Sequence, residues 1–239
     1  MKKGYQVALL VLVVLLIDQA TKFYIKTTFE YNGEVLILGQ EWARLHFVEN
    51  EGMAFGMTLD WEHGKLTLSL FRILMVAGLI FWIKTLIEEK MPTGFIMSVG
   101  LITAGALGNI IDSAIYGMIF SASPYHGGLA EVVPWGTGYA SLLHGKVVDM
   151  FYFPMHTWEL PDGDTFTFFS PIFNVADAAI TTGVLSILIF QRKFFRDSTE
   201  SKPAETPAAA EVSTTDDTPA TESDNAENQE LDQADTGKS

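Results

Sequence analysis

Two Asn-Asp pairs stand out in this sequence, because each places a carboxylate inside or beside an apolar segment. Asn109 and Asp112 lie in "GALGNIIDSAIYG", and Asn174 and Asp177 lie in "FNVADAAITTGV". A spacing of three puts both side chains of a pair on one face of a helix, so each Asn could hold its neighbouring carboxylate by a hydrogen bond. The same residues at the start of a helix could instead cap its free amides. Spacing alone leaves both interpretations open.

Two carboxylates that share a site could hydrolyse a peptide bond. Like charges about 3 Å apart cannot both ionise comfortably, so one carboxyl keeps its proton. The ionised carboxylate can act as general base toward water, while the protonated one polarises a carbonyl. Other catalytic groups have little support, since the chain has no Cys, H-E-x-x-H, G-x-S-x-G or phosphate-binding glycine loop. We therefore expect neither a metal nor another cofactor.

Long apolar segments must position these side chains. Nearly half of the 239 residues are apolar (48%), and four segments approach or exceed the roughly 20 residues that cross a bilayer as a helix. We predict an α-helical integral membrane protein with spans near residues 4–25, 67–87, 93–120 and 171–190. The first segment lacks a small-x-small cleavage site after it, which favours an uncleaved membrane anchor over a removable signal peptide.

Basic residues predict the orientation of the spans. Lys2 and Lys3 precede the first span, and "QRKFFR" follows the last. Since positive residues favour the cytoplasmic side, we expect both termini and the loop between spans two and three to lie inside. Lys22 and Lys26, at the other end of the first span, run against this tendency.

The two segments that would then face outward, about 26–66 and 121–170, are interpreted as folded structure near the membrane surface. "GEVLILGQEWARLHFVENEGMAFGM" has β-branched and aromatic runs broken by Gly, and "TFTFFS" alternates as a strand does. Several aromatic residues are of the kind that anchors proteins at a membrane interface, namely Trp42, Trp61, Trp135, Tyr139 and Trp158.

On this topology the polar residues of the spans gather at one depth. Asp18 lies near the outer end of the first span, both Asn-Asp pairs lie at the outer ends of the third and fourth, and Asp149 precedes the fourth. Ionisable groups within spans usually face a bundle interior and serve function. A proton- or ion-coupled transporter is the main alternative, but its carboxylates should occupy several depths. A structural protein, in which polar groups only tie helices together, would leave Asp149 unexplained.

The C-terminal segment has a different composition. The chain carries a net charge of −14, and 12 of its 29 acidic residues fall within residues 197–239, which contain one Leu and no aromatic residue. Such a segment cannot bury enough apolar surface to offset its chain entropy. We predict a membrane-embedded domain at 1–196 and a disordered, acidic, cytoplasmic tail at 197–239.

The ordered set of polar motifs resembles that of lipoprotein signal peptidase, also called signal peptidase II, a family of bacterial membrane aspartic proteases. The matching stretches are "DQATK" at 18–22, "VENEGMAFG" at 48–56, "GALGNIIDS" at 105–113, "VVDMFYF" at 147–153 and "FNVADAAITTG" at 173–183. Each stretch is weak alone, and the ordered set is specific. The resemblance implies four transmembrane helices with a small β-rich cradle on the outer face.

The resemblance also implies an activity and a set of site residues. The family removes signal peptides from prolipoproteins whose cysteine carries diacylglycerol, cleaving before that cysteine. It implies Asp149 and Asp177 as the catalytic pair and Asn174 as the residue that orients them. Further polar positions of the family, which would support the site, fall at Asp18, Asn50, Asn109 and Asp112.

The resemblance further implies a location and partners. The chain would lie in the bacterial cytoplasmic (inner) membrane as a multi-pass protein, with its active site on the outer, periplasmic side. Its partners would be lipid-modified prolipoproteins and membrane lipid, with no nucleic acid, and it would act as a monomer.

The chain departs from the family pattern at two places. Ser113 stands where the family usually has Arg directly after Asp112. An Arg partner of Asp112 would then come from elsewhere, with Arg44 and Arg72 as candidates, or be dispensable. The segment at 121–146 has the character of an insertion, and it removes no position of the site.

Overall fold

The structure is a computed structural model that describes residues 2–51, 64–160 and 164–200, all within one compact unit. Its helices are α1 (Lys3–Thr28), α2 (Gly64–Glu88), α3 (Thr93–Ile111), α4 (Gly117–Ile119) and α5 (Val175–Glu200). Its strands are β1 (Glu34–Leu36), β2 (Arg44–Asn50), β3 (Val147–Tyr152), β4 (His156–Glu159), β5 (Thr165–Phe168) and β6 (Ile172–Phe173). A π-helical turn at Asp112–Tyr116 joins α3 to α4.

Three helices among the described residues are long and apolar enough to cross a membrane: α1, α2 and the continuous helical segment Thr93–Ile119. Helix α5 has a shorter apolar part, Val175–Phe190. The prediction of a fourth span beginning at residue 171 placed its start too early. Residues 172 and 173 form β6 and pair with β3, so they are part of the sheet.

Glycines let α3 approach both α1 and α5. A Cβ added at Gly100 would meet Val7 of α1 at 3.2 Å, and one at Gly105 would clash with the Ala176 carbonyl oxygen of α5. Gly183 makes the reciprocal approach, since its added Cβ would lie 2.6 Å from the Ser98 carbonyl oxygen. Small residues permit such close helix contacts. Gly108 of α3 faces both neighbours, since its added Cβ would meet Asp18 of α1 at 2.5 Å and Ala176 of α5 at 3.2 Å.

The main sheet has four antiparallel strands in the order β1-β2-β3-β6. Asp149 lies in β3 opposite Val48 of β2, and Phe151 of the same strand pairs with Phe173 of β6. Because β6 is followed after one residue by α5, the sheet fixes the point at which that helix begins. This connection places the middle of β3 beside the N-terminus of α5.

Two apolar clusters lie on either side of the polar residues. The first cluster joins α1, α2 and α3 through residues such as Val7, Leu86 and Ile96. The second joins the other ends of α1 and α3 to the sheet through residues such as Ile25 and Phe47. Along both α1 and α3, the polar positions of the predicted site fall between these clusters.

The segment at 121–146 folds back onto the end of the third long helix. Phe120 bridges to Val132, and the Gly145 amide donates to the Ser113 carbonyl at 2.8 Å. Strands predicted in "TFTFFS" and in the stretch at 33–57 are confirmed as β5, β1 and β2, while residues 52–57 of that stretch lie outside the described part of the chain. Trp61 and residues 201–239 of the predicted tail lie outside the described residues. Residues 197–200, the first four of the predicted tail, belong to helix α5.

Candidate active site

Helix α5 begins with a reciprocal pair of hydrogen bonds between Asn174 and Asp177. The Asp177 amide donates to the Asn174 side-chain oxygen at 2.9 Å, and the Asn174 amide donates to the Asp177 carboxylate at 3.2 Å. This is a capping box built from Asn and Asp. The capping interpretation is therefore correct, but it leaves the Asn174 side-chain amide and the second Asp177 oxygen available for other contacts.

Those remaining groups reach other elements. The Asn174 side-chain amide donates to Asp149 Oδ1 at 2.6 Å, and Asp177 Oδ1 accepts a 2.9 Å hydrogen bond from the Asn109 side chain. Asn174 thus contacts both Asp149 and Asp177, and its own side chain is fully buried. One amide residue holds carboxylates from a strand and a helix in a fixed relation.

Asp149 is the more enclosed of the two carboxylates. It is 2% exposed, whereas Asp177 is partly exposed at the helix start. Its second oxygen accepts a 2.9 Å hydrogen bond from the Asn50 side chain of β2. Burial, with a further contribution from the Asp177 charge, raises the pKa of Asp149 to about 7, although bonds from Asn50 and Asn174 oppose the shift.

In neither pair does the Asn side chain donate to the carboxylate three residues away, which was one of the two interpretations of the spacing. Asn109 donates to Asp177 on α5 rather than to Asp112. The Asn174 side-chain oxygen accepts from the Asp177 backbone amide at the helix start, and the Asn174 side-chain NH2 group donates to Asp149. Both Asn side chains therefore donate to a carboxylate on another helix or strand and not to one in their own helix.

A second group of buried charges lies behind the carboxylates. Lys22 Nζ contacts Asp18 Oδ2 and Asp112 Oδ2, both at 2.9 Å, and donates to the Asn109 side-chain oxygen, also at 2.9 Å. All three N–H donors of the ammonium group therefore have acceptors. Asp18, Lys22 and Asp112 are each fully buried, so their charges must be compensated locally.

This group fixes the two elements that carry Asp149 and Asp177. Asp18 Oδ1 accepts from the Ala176 amide in the first turn of α5 at 2.8 Å. Asp112 Oδ2 accepts from the Val148 amide at 3.2 Å, one residue before Asp149 in β3. Each buried carboxylate therefore binds the backbone of one element, and Lys22 joins them.

Lys22 and Gln19 are the site residues that sequence reasoning missed. Gln19 donates to Asp112 Oδ1 at 2.9 Å and to Asp18 Oδ2 at 3.1 Å. Both residues lie in "DQATK", where Lys22 follows Asp18 by four positions, a spacing that favours an ion pair on a helix. That spacing was the available signal for Lys22, and its second partner, Asp112, comes from another helix.

The candidate arginine partners of Asp112 have other positions. Arg44 pairs with Glu34 at 3.0 Å on the sheet, so its assignment to Asp112 is wrong. Arg72 of α2 lies within electrostatic range of Asp177, Asp112 and Asp149. The Ser113 hydroxyl donates to the Asn109 backbone carbonyl at 3.0 Å, in its own helix. Lys22 is in direct contact with Asp112.

The structure brings together every residue predicted for the site. They come from α1, β2, α3 with its π-helical turn, β3 and the start of α5: Asp18, Asn50, Asn109, Asp112, Asp149, Asn174 and Asp177. π-Helical turns often occur at functional sites. A buried carboxyl with a pKa near neutrality, beside a second carboxylate, is suited to proton exchange with a substrate.

Comparison with known proteins gives a consistent result. The family model described as signal peptidase (SPase) II matches residues 10–193. The chain is 42% identical to a lipoprotein signal peptidase of Porphyromonas gingivalis over 199 residues, covering 78% of this chain and 83% of that protein. A lipoprotein signal peptidase of Amoebophilus asiaticus is 31% identical over 198 residues, covering 80% and 78%.

The fold also resembles a solved structure. A bacterial membrane enzyme structure determined by the in meso method superposes with a TM-score of 0.52 at 22% identity, covering 84% of this chain and 94% of that one. With its apolar helices, this likeness indicates an integral, multi-pass membrane protein. The family match runs from α1 through the apolar part of α5, and so includes all the site residues. The chain belongs to the signal peptidase II family.

Proposed function

We propose that this chain is a membrane aspartic endopeptidase that removes the signal peptide from diacylglyceryl-modified prolipoproteins, cleaving before the lipidated cysteine. The relatives that match over most of the chain are lipoprotein signal peptidases, which supports a peptidase over the transporter alternative. The observation that carries the proposal is the double contact of Asn174. It bonds to Asp149 through its side chain and to Asp177 through its side chain and backbone.

The two carboxyl groups have different environments, which suggests different roles. Asp149 is buried and its pKa is raised to about 7, so near neutral pH it can hold the proton and donate it to the scissile carbonyl oxygen. Asp177 is partly exposed and can accept a proton from the attacking water. The water oxygen bonds to the carbonyl carbon and gives a tetrahedral diol. As the C–N bond breaks, Asp177 passes the proton it took from water to the leaving nitrogen, and one diol hydroxyl returns a proton to Asp149.

A cleavage assay tests this function. The purified protein in lipid should cut a diacylglyceryl-modified prolipopeptide directly before the modified cysteine, as read by mass spectrometry. We expect EDTA and 1,10-phenanthroline to leave the rate unchanged, because the carboxylate oxygens already accept hydrogen bonds from Asn50, Asn109 and Asn174. Inhibition that added metal reverses, or cleavage at another bond, would contradict the proposal.

The proposed topology has four spans, with the apolar part of α5 as the fourth. Its 16 residues would extend about 24 Å as a helix, and basic residues follow it. Lys3 donates to the Met91 carbonyl at 2.6 Å, which puts the N-terminus beside the α2–α3 loop. Lys22 and Lys26 are fully buried in ion pairs, so they add little to the charge outside. These contacts support cytoplasmic termini and a periplasmic site in the inner membrane.

A reporter fusion tests this orientation. A reporter that functions only in the cytoplasm should be active when fused after Arg196, and an export-dependent phosphatase should be inactive there. The phosphatase should become active when inserted at Gly128, a positive-φ position in the 121–146 segment. The reverse pattern would place the site in the cytoplasm and exclude a periplasmic substrate.

The proposed partners follow from the site. The carboxylates and their supporting residues all come from one chain, which is consistent with action as a monomer on lipid-modified prolipoproteins within membrane lipid. We propose residues 1–196 as the peptidase domain.

A further inference from the structure

The β4–β5 hairpin is a separate two-stranded sheet inserted between β3 and β6. Its strands pair His156 with Phe168, Thr157 with Thr167 and Trp158 with Phe166. Since β3 carries Asp149 and β6 leads to Asp177, the hairpin connects the two strands that flank the candidate active site. Its register determines which side chains share a face.

The two faces of the hairpin differ in chemistry. One face carries four rings, with 4.5 Å between the His156 and Trp158 centroids and 5.7 Å between Trp158 and Phe166, and Phe168 beyond them. The opposite face carries Thr and Glu side chains, including a 3.1 Å hydrogen bond between the Thr157 and Thr167 hydroxyls. Residues alternate between faces in a strand, so this separation follows from the sequence pattern.

The aromatic face needs a covering surface. Trp158 is 46% exposed, and Phe166 and Phe168 are each 54% exposed. An isolated two-stranded hairpin is marginally stable in water unless a packed layer covers one face. None of the four aromatic-face residues is Asp, Glu, Lys or Arg, so the face has no charge that would oppose transfer out of water.

Ring contacts link the hairpin to the start of a membrane helix. Phe169, directly after β5, lies 6.2 Å from Phe173, measured between ring centroids, and Phe173 directly precedes the first residue of the α5 cap. Phe173 also contacts Phe153 at 5.7 Å, and Phe153 contacts Trp42 at 6.3 Å. A chain of ring contacts therefore runs from Phe169, at the end of the hairpin, through Phe173 of β6 to Trp42, which precedes β2.

We propose that the aromatic face of the β4–β5 hairpin inserts into the headgroup region of the bilayer. Trp and other amphipathic rings favour this region. It also suits the hairpin because the aromatic face could contact lipid while the opposite face, with its Thr and Glu side chains, stays in water. Insertion would hold the connection between β3 and β6 at a fixed depth beside the membrane. This inference concerns a lipid contact outside the site and does not depend on the catalytic roles of the carboxylates.

Site-directed labelling can test each face separately, because the chain contains no Cys. Phe166→Cys and Thr165→Cys place a nitroxide label on adjacent exposed residues of opposite faces. In phosphatidylcholine vesicles, the label at 166 should collide mainly with oxygen, which partitions into lipid, and the label at 165 mainly with an aqueous nickel chelate. Equal access of the chelate to both labels would overturn the proposal.

Two other outcomes would also overturn it. A label at 166 that neither reagent reaches would indicate a covering protein segment, and spin–spin broadening that grows with protein density would indicate a second copy. A native probe guards against disturbance by the label. Brominated phosphatidylcholine should quench part of the wild-type Trp fluorescence, and this part should be smaller in Trp158→Phe. Equal quenching in both proteins would place Trp158 away from lipid.

Discussion

Replacing Asp149 or Asp177 with Asn is expected to abolish cleavage while the protein stays folded and still binds a lipid-modified substrate. Asn keeps the size of the side chain and one acceptor oxygen, which can preserve the cap on α5 at position 177 or the Asn174 contact at position 149. Its NH2 group then faces the donor on the other side, Asn109 or Asn50. What is lost is the ability to exchange a proton. We expect kcat to fall by at least about 10⁴-fold, or roughly 5.5 kcal/mol of transition-state stabilisation.

The double variant distinguishes a catalytic pair from two independent residues. If Asp149 and Asp177 act as one unit, Asp149→Asn/Asp177→Asn should be little slower than either single variant. Glu159→Gln is the matched control, since it removes an exposed carboxylate from the segment between the two. Substantial cleavage by either single Asn variant would show that the aspartic mechanism is wrong.

Replacing Lys22 with Met is expected to have the second largest effect, this time on the fold. Asp18 and Asp112 would lose their shared cation while both stay buried and bound to backbone amides. Breaking a buried ion pair by removing one partner typically costs about 3–5 kcal/mol. For a chain of this size we expect a fall in unfolding temperature on the order of 10 °C.

Activity should fall together with stability in Lys22→Met, because its partners fix the Val148 and Ala176 amides, which adjoin Asp149 and Asp177 in sequence. Ser113→Ala is the matched control. That residue is also buried and adjoins Asp112, but its hydroxyl bonds only to the backbone of its own helix among the contacts described. Thermal unfolding in detergent and the cleavage rate measure both effects. An unchanged Lys22→Met protein would show that this cation does not organise the site.

The sequence predicted which polar residues lie close together, but not which of their atoms form hydrogen bonds. Motif positions and depth predicted that Asp149 and Asp177 lie close together. In the structure both carboxylates contact Asn174. The actual partners depend on how closely α3 approaches α5, which Gly105 and Gly183 permit. That approach directs Asn109 to Asp177, and no spacing along one helix contains this information.

The start of the fourth apolar helix could not be predicted from the sequence either. Residues 172 and 173 are apolar and precede an apolar helix, so composition alone assigns them to the span. They lie in a strand because Phe151 and Tyr152 of β3 offer them backbone partners. The β5 strand could be predicted because Thr and Phe alternate along it. The aromatic side chains of the β4 strand, "HTWE", form a face only through pairing with β5.

The rate of cleavage as a function of pH tests the shared proton most directly. Because the pKa of Asp149 rises from its ordinary value near 3.8 to about 7 on folding, the folded protein favours the protonated form. The contribution of Asp149 to stability therefore declines as pH rises from about 4 to about 7, and the proton donor is lost above that range.

We predict that wild-type kcat/KM in the presence of EDTA falls as pH rises past about 7, with an apparent pKa that belongs to the Asp149–Asp177 pair. A rate that stays level or continues to rise up to pH 9 would show that no protonated carboxyl takes part. That result would contradict catalysis by this pair.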